Sequence, residues 1–124
     1  MNGKGRIQLA NGNVYEGDWI GGDMHGIGKR TLVDGDSYEG EWVENAYHGK
    51  GTLRLANGSI YIGDFASGLM HGHGTMTFAE FGREGDVYEG EFRSDEPTGK
   101  GRYMLASGVV LEGDDVFEQH RRMM

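Results

Sequence analysis

The sequence contains no cysteine and a single proline, Pro97. Without cysteine there is no disulfide, no thiolate nucleophile and no cysteine-based zinc site, and the lack fits a reducing compartment. One proline excludes a collagen-like chain and a proline-rich linker. Positive charge is scarce too: 12 Lys and Arg stand against 20 Asp and Glu, a formal charge of −8. That balance opposes binding to DNA, RNA or an anionic bilayer, which requires clustered cations. No apolar run approaches the ~20 residues that span a bilayer, and no signal-peptide pattern precedes the first glycines.

What is abundant is glycine, at 24 of 124 residues, together with aromatics at 10%. The length suits one domain. Many short strands joined by tight turns are the expected use of such a composition.

The glycines and aromatics repeat. Tyr15-Glu16-Gly17-Asp18-Trp19 returns as Tyr38-Glu39-Gly40-Glu41-Trp42, Tyr61-Ile62-Gly63-Asp64-Phe65 and Tyr88-Glu89-Gly90-Glu91-Phe92. The spacings are 23, 23 and 27 residues, and a further 23 leads to Leu111. The four extra residues fall in 79–86, and the opening segment aligns with the one that begins at His48, so the chain starts in mid-repeat, as a piece of a longer array would. The reading is a half repeat 1–14, repeats 15–37, 38–60, 61–87 and 88–110, a degenerate cap 111–116 and a tail 117–124 that caps the last strand, forms a helix or is disordered.

Each period contains two segments of alternating character, the signature of strand rather than helix. Counting both gives ten strands, from 6–10 to 110–113. Asn11-Gly12, Asp34-Gly35, Asn57-Gly58 and Ser107-Gly108 turn the chain between periods. Three residues after each Trp or Phe stand Gly22, Asn45, Gly68 and Asp95, types that tolerate positive φ, which predicts a left-handed bend there.

Alternation puts Tyr, Gly and Trp or Phe on one face, joined by the columns Leu9, Leu32, Leu55, Phe78, Leu105 and Ile7, Leu53, Met76, Tyr103; Arg30 interrupts the second column. Glycine between two aromatics leaves a hollow that a ring from a neighbouring strand can cross. The other face carries Glu16, Glu39, Glu89, Asp18, Glu41, Asp64 and Glu91, with Arg6, Lys29, Arg54 and Arg102 as candidate cross-strand partners. Carboxylates repeated in every period are architecture; a catalytic pair or a metal site would be expected once.

These residues, Tyr-x-Gly-x-Trp, then Gly, then His-Gly-x-Gly at 23-residue spacing, resemble the MORN (membrane occupation and recognition nexus) repeat. The first copy, Tyr15 to Gly28, matches at every signature position; the later ones substitute Asn45 and Asp95 for Gly, Phe65 for Trp and Thr98 for His. The resemblance implies an all-β fold, an elongated single-layer antiparallel β-meander of hairpins. It implies scaffolding, dimerisation or peptide-binding roles, at cytoskeletal or membrane contacts in some members, with phospholipid binding proposed for others.

Other motifs give less. His25, His48 and His71 would stand ~9–10 Å apart along one rim, too far to share a zinc ion, and His71-x-His73 has no third ligand. Gly26-Ile27-Gly28-Lys29-Arg30 lacks the first glycine and the Ser or Thr of a phosphate loop, and a strand follows it. No cofactor, metal or catalytic constellation is expected. The insertion in 79–86 is either a longer turn or a binding loop. Met24, Tyr47 and Met70, with Pro97 fourth, occupy one loop-tip position; they either form an apolar ridge for a partner or fold back over the adjacent rings.

The sequence therefore points to a non-catalytic cytoplasmic scaffold that binds a protein partner or itself as a homodimer. Its expected surface is Tyr38, Trp42, Tyr61, Phe65 and Tyr88 with the rim residues Met24, Tyr47 and Met70. The alternative is a peripheral phospholipid-binding module using Lys29, Arg30, Lys50, Arg54, Lys100 and Arg102, which the net charge opposes.

Overall fold

The computed structural model describes residues 2–123. Ten strands follow one another in chain order across one open antiparallel sheet: β1 Gly3–Gln8, β2 Val14–Ile20, β3 Asp23–Thr31, β4 Ser37–Val43, β5 Ala46–Arg54, β6 Ile60–Ala66, β7 Leu69–Thr77, β8 Val87–Arg93, β9 Glu96–Met104 and β10 Val110–Gly113. A helix, α1 Val116–Met123, closes the chain. The expected single-layer β-meander is the observed fold.

Two kinds of turn alternate. On one rim, Gly21-Gly22, Glu44-Asn45, Ser67-Gly68 and Ser94-Asp95 all have positive φ. Two consecutive left-handed residues make a type I′ turn, whose twist matches that of the flanking strands. The predicted left-handed positions are therefore found, each with a second one before it. On the other rim the loops are longer than a two-residue hairpin. Leu9 N–H donates to the Asn13 carbonyl and Gly12 N–H to the Leu9 carbonyl, a type I turn closed by a glycine at φ +99°. Leu32, Leu55 and Leu105 begin the same arrangement.

Both rims are laced from repeat to repeat. Asn13, Asp36, Ser59 and Asp86 each accept the backbone N–H of a residue 20 further on, namely Val33, Ala56, Ala79 and Ala106. On the I′ rim, Asn45 and Asp95 side chains accept from Met24 and Met70 N–H, while Asn45, Gly68 and Asp95 N–H donate to the Met24, Tyr47 and Met70 carbonyls. Each hairpin is thus bonded to the next at its tip as well as along its strands.

The pairing register sets three rows across the sheet. One glycine per strand forms the central row: Gly5, Gly17, Gly28, Gly40, Gly51, Gly63, Gly74, Gly90, Gly101 and Gly113 stand opposite one another in turn. Beside it runs Ile7, Tyr15, Arg30, Tyr38, Leu53, Tyr61, Met76, Tyr88, Tyr103 and Leu111. On the far side Trp19 faces Met24, Trp42 faces Tyr47, Phe65 faces Met70 and Phe92 faces Pro97.

The first glycine of each His-Gly-x-Gly is the bulge residue. Pairing passes from Gly17–Gly28 to Trp19–Met24, leaving two extra residues on β3, and Gly26, Gly49, Gly72 and Gly99 all have positive φ. A bulge frees a backbone N–H, and in the first three repeats the acid after the first-strand glycine takes it. Asp18 accepts from Ile27 N–H at 3.0 Å, Glu41 from Lys50 at 2.6 Å and Asp64 from His73 at 3.1 Å. In the fourth repeat the Thr98 hydroxyl, standing where His stands elsewhere, accepts from Lys100 N–H at 3.2 Å.

The tail is part of the core. Val116 is fully buried, Phe117 lies 5.0 Å from the Tyr88 ring and His120 stacks on Tyr103 at 4.7 Å. Arg83, from the inserted turn, lies over both Phe78 and Phe117, so the insertion joins this cap.

Candidate functional site

Two surfaces were open to a partner in the sequence, the aromatic face and the charged face, and the structure separates them. The aromatic face is spent on the core. Tyr38, Tyr61 and Tyr88 are fully buried, and Trp42 and Phe65 nearly so. The rings do cross the glycine hollows: the Tyr38 ring lies over Gly51 and the Tyr61 ring over Gly74. Tyr38 meets Trp42 edge-on at 5.3 Å and Tyr61 meets Phe65 at 5.1 Å. Each hydroxyl reaches over its own strand's glycine to a carbonyl, Tyr38 to Glu41 and Tyr61 to Asp64 at 2.7 Å, and Tyr88 to Glu91 at 2.9 Å.

The expected contact surface on Tyr38, Trp42, Tyr61, Phe65 and Tyr88 is therefore corrected, because covering the glycine row removes these rings from solvent. The apolar ridge is corrected as well. Met24 and Met70 are buried, and Tyr47 is half-buried and stacked on Tyr38 at 3.8 Å. The bulge turns this position inward across the sheet from Trp42 and Phe65, the fold-back arrangement.

Burial governs the phenols. It pushes Tyr61 up to about 12, with the Asp64 carboxylate adding to it, and raises Tyr38, Tyr47 and Tyr103 as well. On Tyr103 the buried Asp86, which accepts its hydroxyl at 2.7 Å, pushes in the same direction.

The opposite face carries the accessible groove. Its floor is backbone at the glycine row, and its walls are the residues flanking those glycines. One row runs Arg6, Glu16, Lys29, Glu39, Thr52, Ile62, Thr75, Glu89, Arg102 and Glu112. Charges alternate at its two ends, but Thr52, Ile62 and Thr75 leave a neutral window in the middle. There a depression of about 500 Å³ is lined by Ile27, Glu39, Lys50, Thr52, Ile62 and His73 among others. It shares Ile27 and Glu39 with a neighbouring depression of about 460 Å³ that reaches Lys4 and Arg6. Ile27 and Ile62 are 59% and 58% exposed on this otherwise polar face.

The basic residues proposed for lipid are mostly engaged. Lys50 pairs with Asp64, Lys100 lies 3.9 Å from Glu91, Arg102 lies 3.2 Å from Glu112, and Arg30 donates to the Tyr47 hydroxyl at 2.9 Å. Of Arg6, Lys29, Arg54 and Arg102, expected to pair with carboxylates of this face, Arg102 alone forms an ion pair among the described residues, and its partner is Glu112, outside the expected set. Lys4–Asp18, at 2.7 Å, and Lys50–Asp64 are pairs the sequence reading missed. The Lys4 and Lys50 ammonium groups, helped by the Ile27 and His73 backbone N–H, hold Asp18 and Asp64 below the usual carboxylate range.

The described residues hold no cluster of three or more His, Asp or Glu that fits a metal ion, and no described helix is long and apolar enough to cross a membrane. His71 accepts Ser94 N–H through Nδ1 at 3.4 Å, tying one hairpin tip to the next.

A comparison with curated proteins finds no match. The family model for the MORN repeat matches residues 1–14, 15–37, 38–60, 61–83 and 88–110, leaving out 84–87, three residues of the inserted turn and the first of β8. With one glycine per strand in register, a Tyr–Trp or Tyr–Phe pair over it in successive hairpins, and five consecutive segments matched, the chain belongs to the MORN repeat family.

Proposed function

We propose that this protein is a non-catalytic scaffold that binds an extended polypeptide along the glycine-floored groove of its polar face. The observation that carries this reading is the pair of exposed isoleucines, Ile27 and Ile62, flanking a floor of bare backbone within one depression. Side-chain-free residues let a second backbone approach closely. The Thr52–Ile62–Thr75 window offers apolar contact and hydroxyls, and Glu39 and Glu89 bracket it in the row with negative charge. A segment with an apolar centre and basic ends matches that pattern, and electrostatic complementarity of this kind sets register and on-rate. A cytoplasmic location at cytoskeletal or membrane contacts goes with the reading.

The test is selection of extended peptides from a displayed library against the whole chain, followed by affinity measurement on Ile27→Asp/Ile62→Asp. Both side chains are exposed, so the variant should fold, with an unchanged circular dichroism spectrum. Selected peptides should bind it at least tenfold more weakly, a loss of about 1.4 kcal/mol. Peptides that bind both proteins equally would place the contact elsewhere.

Self-association is a second form of the same role. β1 pairs only with β2 among the described residues, and a sheet edge of this kind accepts another strand, from a preceding repeat or from a second copy. Sedimentation across a hundredfold concentration range reads this directly. A constant monomer mass removes it and leaves the groove as the sole proposed surface. The phospholipid alternative draws on six cations of which four, Arg30, Lys50, Lys100 and Arg102, already have partners, and salt-sensitive co-sedimentation with anionic vesicles would be needed to revive it.

A further inference from the structure

Each first-strand glycine makes room for the backbone of the strand that follows. A Cβ on Gly17 would stand 2.4 Å from the Gly28 Cα, and one on Gly40 or Gly63 would stand 2.5 Å from the Gly51 or Gly74 Cα. Gly113 holds this place on β10, but β10 pairs only with β9 among the described residues. The Gln119 amide lies there instead, its Nε2 3.1 Å from the Cβ position. The same Nε2 donates to the Glu112 carbonyl at 3.1 Å. Leu105 N–H donates to the Val109 carbonyl, which fixes the alternation of the ladder: Leu111 and Gly113 bond to β9, and the Glu112 N–H and C=O point outward. Gln119 thus does for the outer edge of β10 what a backbone N–H of a following strand does elsewhere. Helix α1 itself lies over the rings of β8 and β9, with Phe117 against Tyr88 and Tyr103 and His120 on Tyr103.

β1 is the complementary half. Gly3 has φ +84°, as a bulge glycine does, and Asn2, at the histidine position, accepts Gly21 N–H at 2.6 Å as His71 accepts that of Ser94. Beside Gly26, Gly49 and Gly72 the acid of the preceding strand lies within 2.9 Å of the Cβ position; beside Gly3 nothing lies within 4 Å among the described residues. Lys50 shows the full arrangement. Its N–H goes to Glu41 on the strand before, and its ammonium to Asp64 on the strand after. Lys4 has the second half, its ammonium on Asp18 at 2.7 Å. Its N–H points outward, since the bond from Leu9 N–H to the Asn13 carbonyl assigns the odd residues of β1 to β2.

We propose that β1 of one copy adds to the outer edge of β10 of a second copy, head to tail, in the register that β3 takes on β2. The inference rests on the self-association form of the function proposed above and names its two surfaces. That register sets Gly113 against Gly5, Glu112 against Arg6, Leu111 against Ile7 and Val110 against Gln8. Asp114, the acid after the first-strand glycine, then stands over Gly3 and accepts the Lys4 N–H. The glycine and apolar rows run on unbroken, and opposite charges meet on the polar face, Lys4 and Arg6 with Glu112 and Asp114. Two β1 edges brought together would set Lys4 and Arg6 against their own copies, and like charges opposed across a ladder destabilise it. Because two different surfaces meet, the contact is heterologous and builds open chains. Gln119 is the cap that leaves when the strand arrives.

Sedimentation equilibrium of the full chain should give a mass that climbs past twice that of the monomer as concentration rises, with no plateau. Gln119→Ala uncaps the β10 edge and should lower the concentration of half-association. Asp114 is exposed; Asp114→Ala removes the acceptor and should raise that concentration roughly tenfold or more, the effect of losing a charged hydrogen bond. Arg6→Pro takes away an outward N–H, on the side where an edge strand tolerates proline, and should act in the same direction. Circular dichroism checks that each variant folds. Arg6→Pro keeps a working β10 and Asp114→Ala a working β1, so the two mixed should form a 1:1 dimer and stop there. Peptides selected for the groove should bind Asp114→Ala as they bind the parent, which separates this contact from that one. A plateau at twice the monomer mass assigns isologous pairing and overturns the proposal while leaving self-association standing. A constant monomer mass in both the parent and Gln119→Ala overturns it as well. So does an Asp114→Ala chain that assembles like the parent.

Discussion

The Tyr38 ring occupies the space that a side chain on Gly51 would need: a Cβ built there stands 2.6 Å from the ring's Cζ. Gly51 has ordinary backbone angles, so sterics alone exclude a larger residue. Gly51→Ala should displace the ring, break its bond to the Glu41 carbonyl and destabilise by about 3 kcal/mol, the upper part of the overpacking range. In a Tyr38→Leu background the same change should cost at least about 1 kcal/mol less, since the pair is coupled. Urea unfolding of the four proteins closes the cycle. Equal costs in both backgrounds would mean that the ring is not what fills the hollow.

Asp64 joins two roles, accepting the bulge N–H of His73 and pairing with Lys50. Asp64→Ala should cost about 1–2 kcal/mol and speed amide exchange at His73. Asp64→Asn keeps an oxygen acceptor and should cost less. Because the native carboxyl titrates below its unfolded value of ~3.9, its contribution is present above that pH and fades as pH falls through the lower native value. Urea midpoints at pH 6 and pH 3 should differ more for the parent than for Asp64→Ala.

The phenols set the alkaline limit. Tyr61 at about 12, with Tyr38 and Tyr103 also raised by burial, stays protonated in the native state while the unfolded chain's tyrosines ionise near 10. Stability is then full below pH ~10 and falls as pH rises through the native values. Midpoints should drop from pH 9 to pH 11, and phenolate absorbance from the buried tyrosines should rise with unfolding. A flat profile would contradict their burial.

Tyr103 donates to Asp86, which is 6% exposed and also accepts Ala106 N–H at 2.8 Å. Tyr103→Phe leaves a buried carboxylate short of one donor, at a cost of about 1–3 kcal/mol. The loss should be local: hydrogen exchange should quicken in β8 to β10 and stay unchanged in β2 to β4, because repeat arrays gain stability from nearest neighbours.

Much of this was legible in the residues. The period, the ten strands, the single layer and the left-handed tips at Gly22, Asn45, Gly68 and Asp95 all follow from spacing and from which residues accept positive φ. The ring over the glycine hollow was legible too, as a consequence of Tyr-x-Gly-x-Trp alternation. The bulge was not, because His25-Gly26 looks like any turn until the register shows two extra residues on β3. The lacing by Asn13, Asp36, Ser59 and Asp86 had a signal in the sequence, a small polar residue at one repeat position, which composition alone does not distinguish from loop polarity.

By itself the sequence determined that this chain is a stack of hairpins with one aromatic and one charged face, because side-chain alternation and glycine spacing are local properties. Which face remains open was decided by the tertiary structure. The rings of Tyr38, Tyr61 and Tyr88 find their cover in the bare backbone and partner rings of adjacent strands, so they form the core rather than a surface. The same packing leaves Ile27 and Ile62 exposed above a glycine floor and buries the Trp42 indole against Gly28. Those outcomes depend on contacts between residues a full hairpin apart, where a single strand's pattern carries no information.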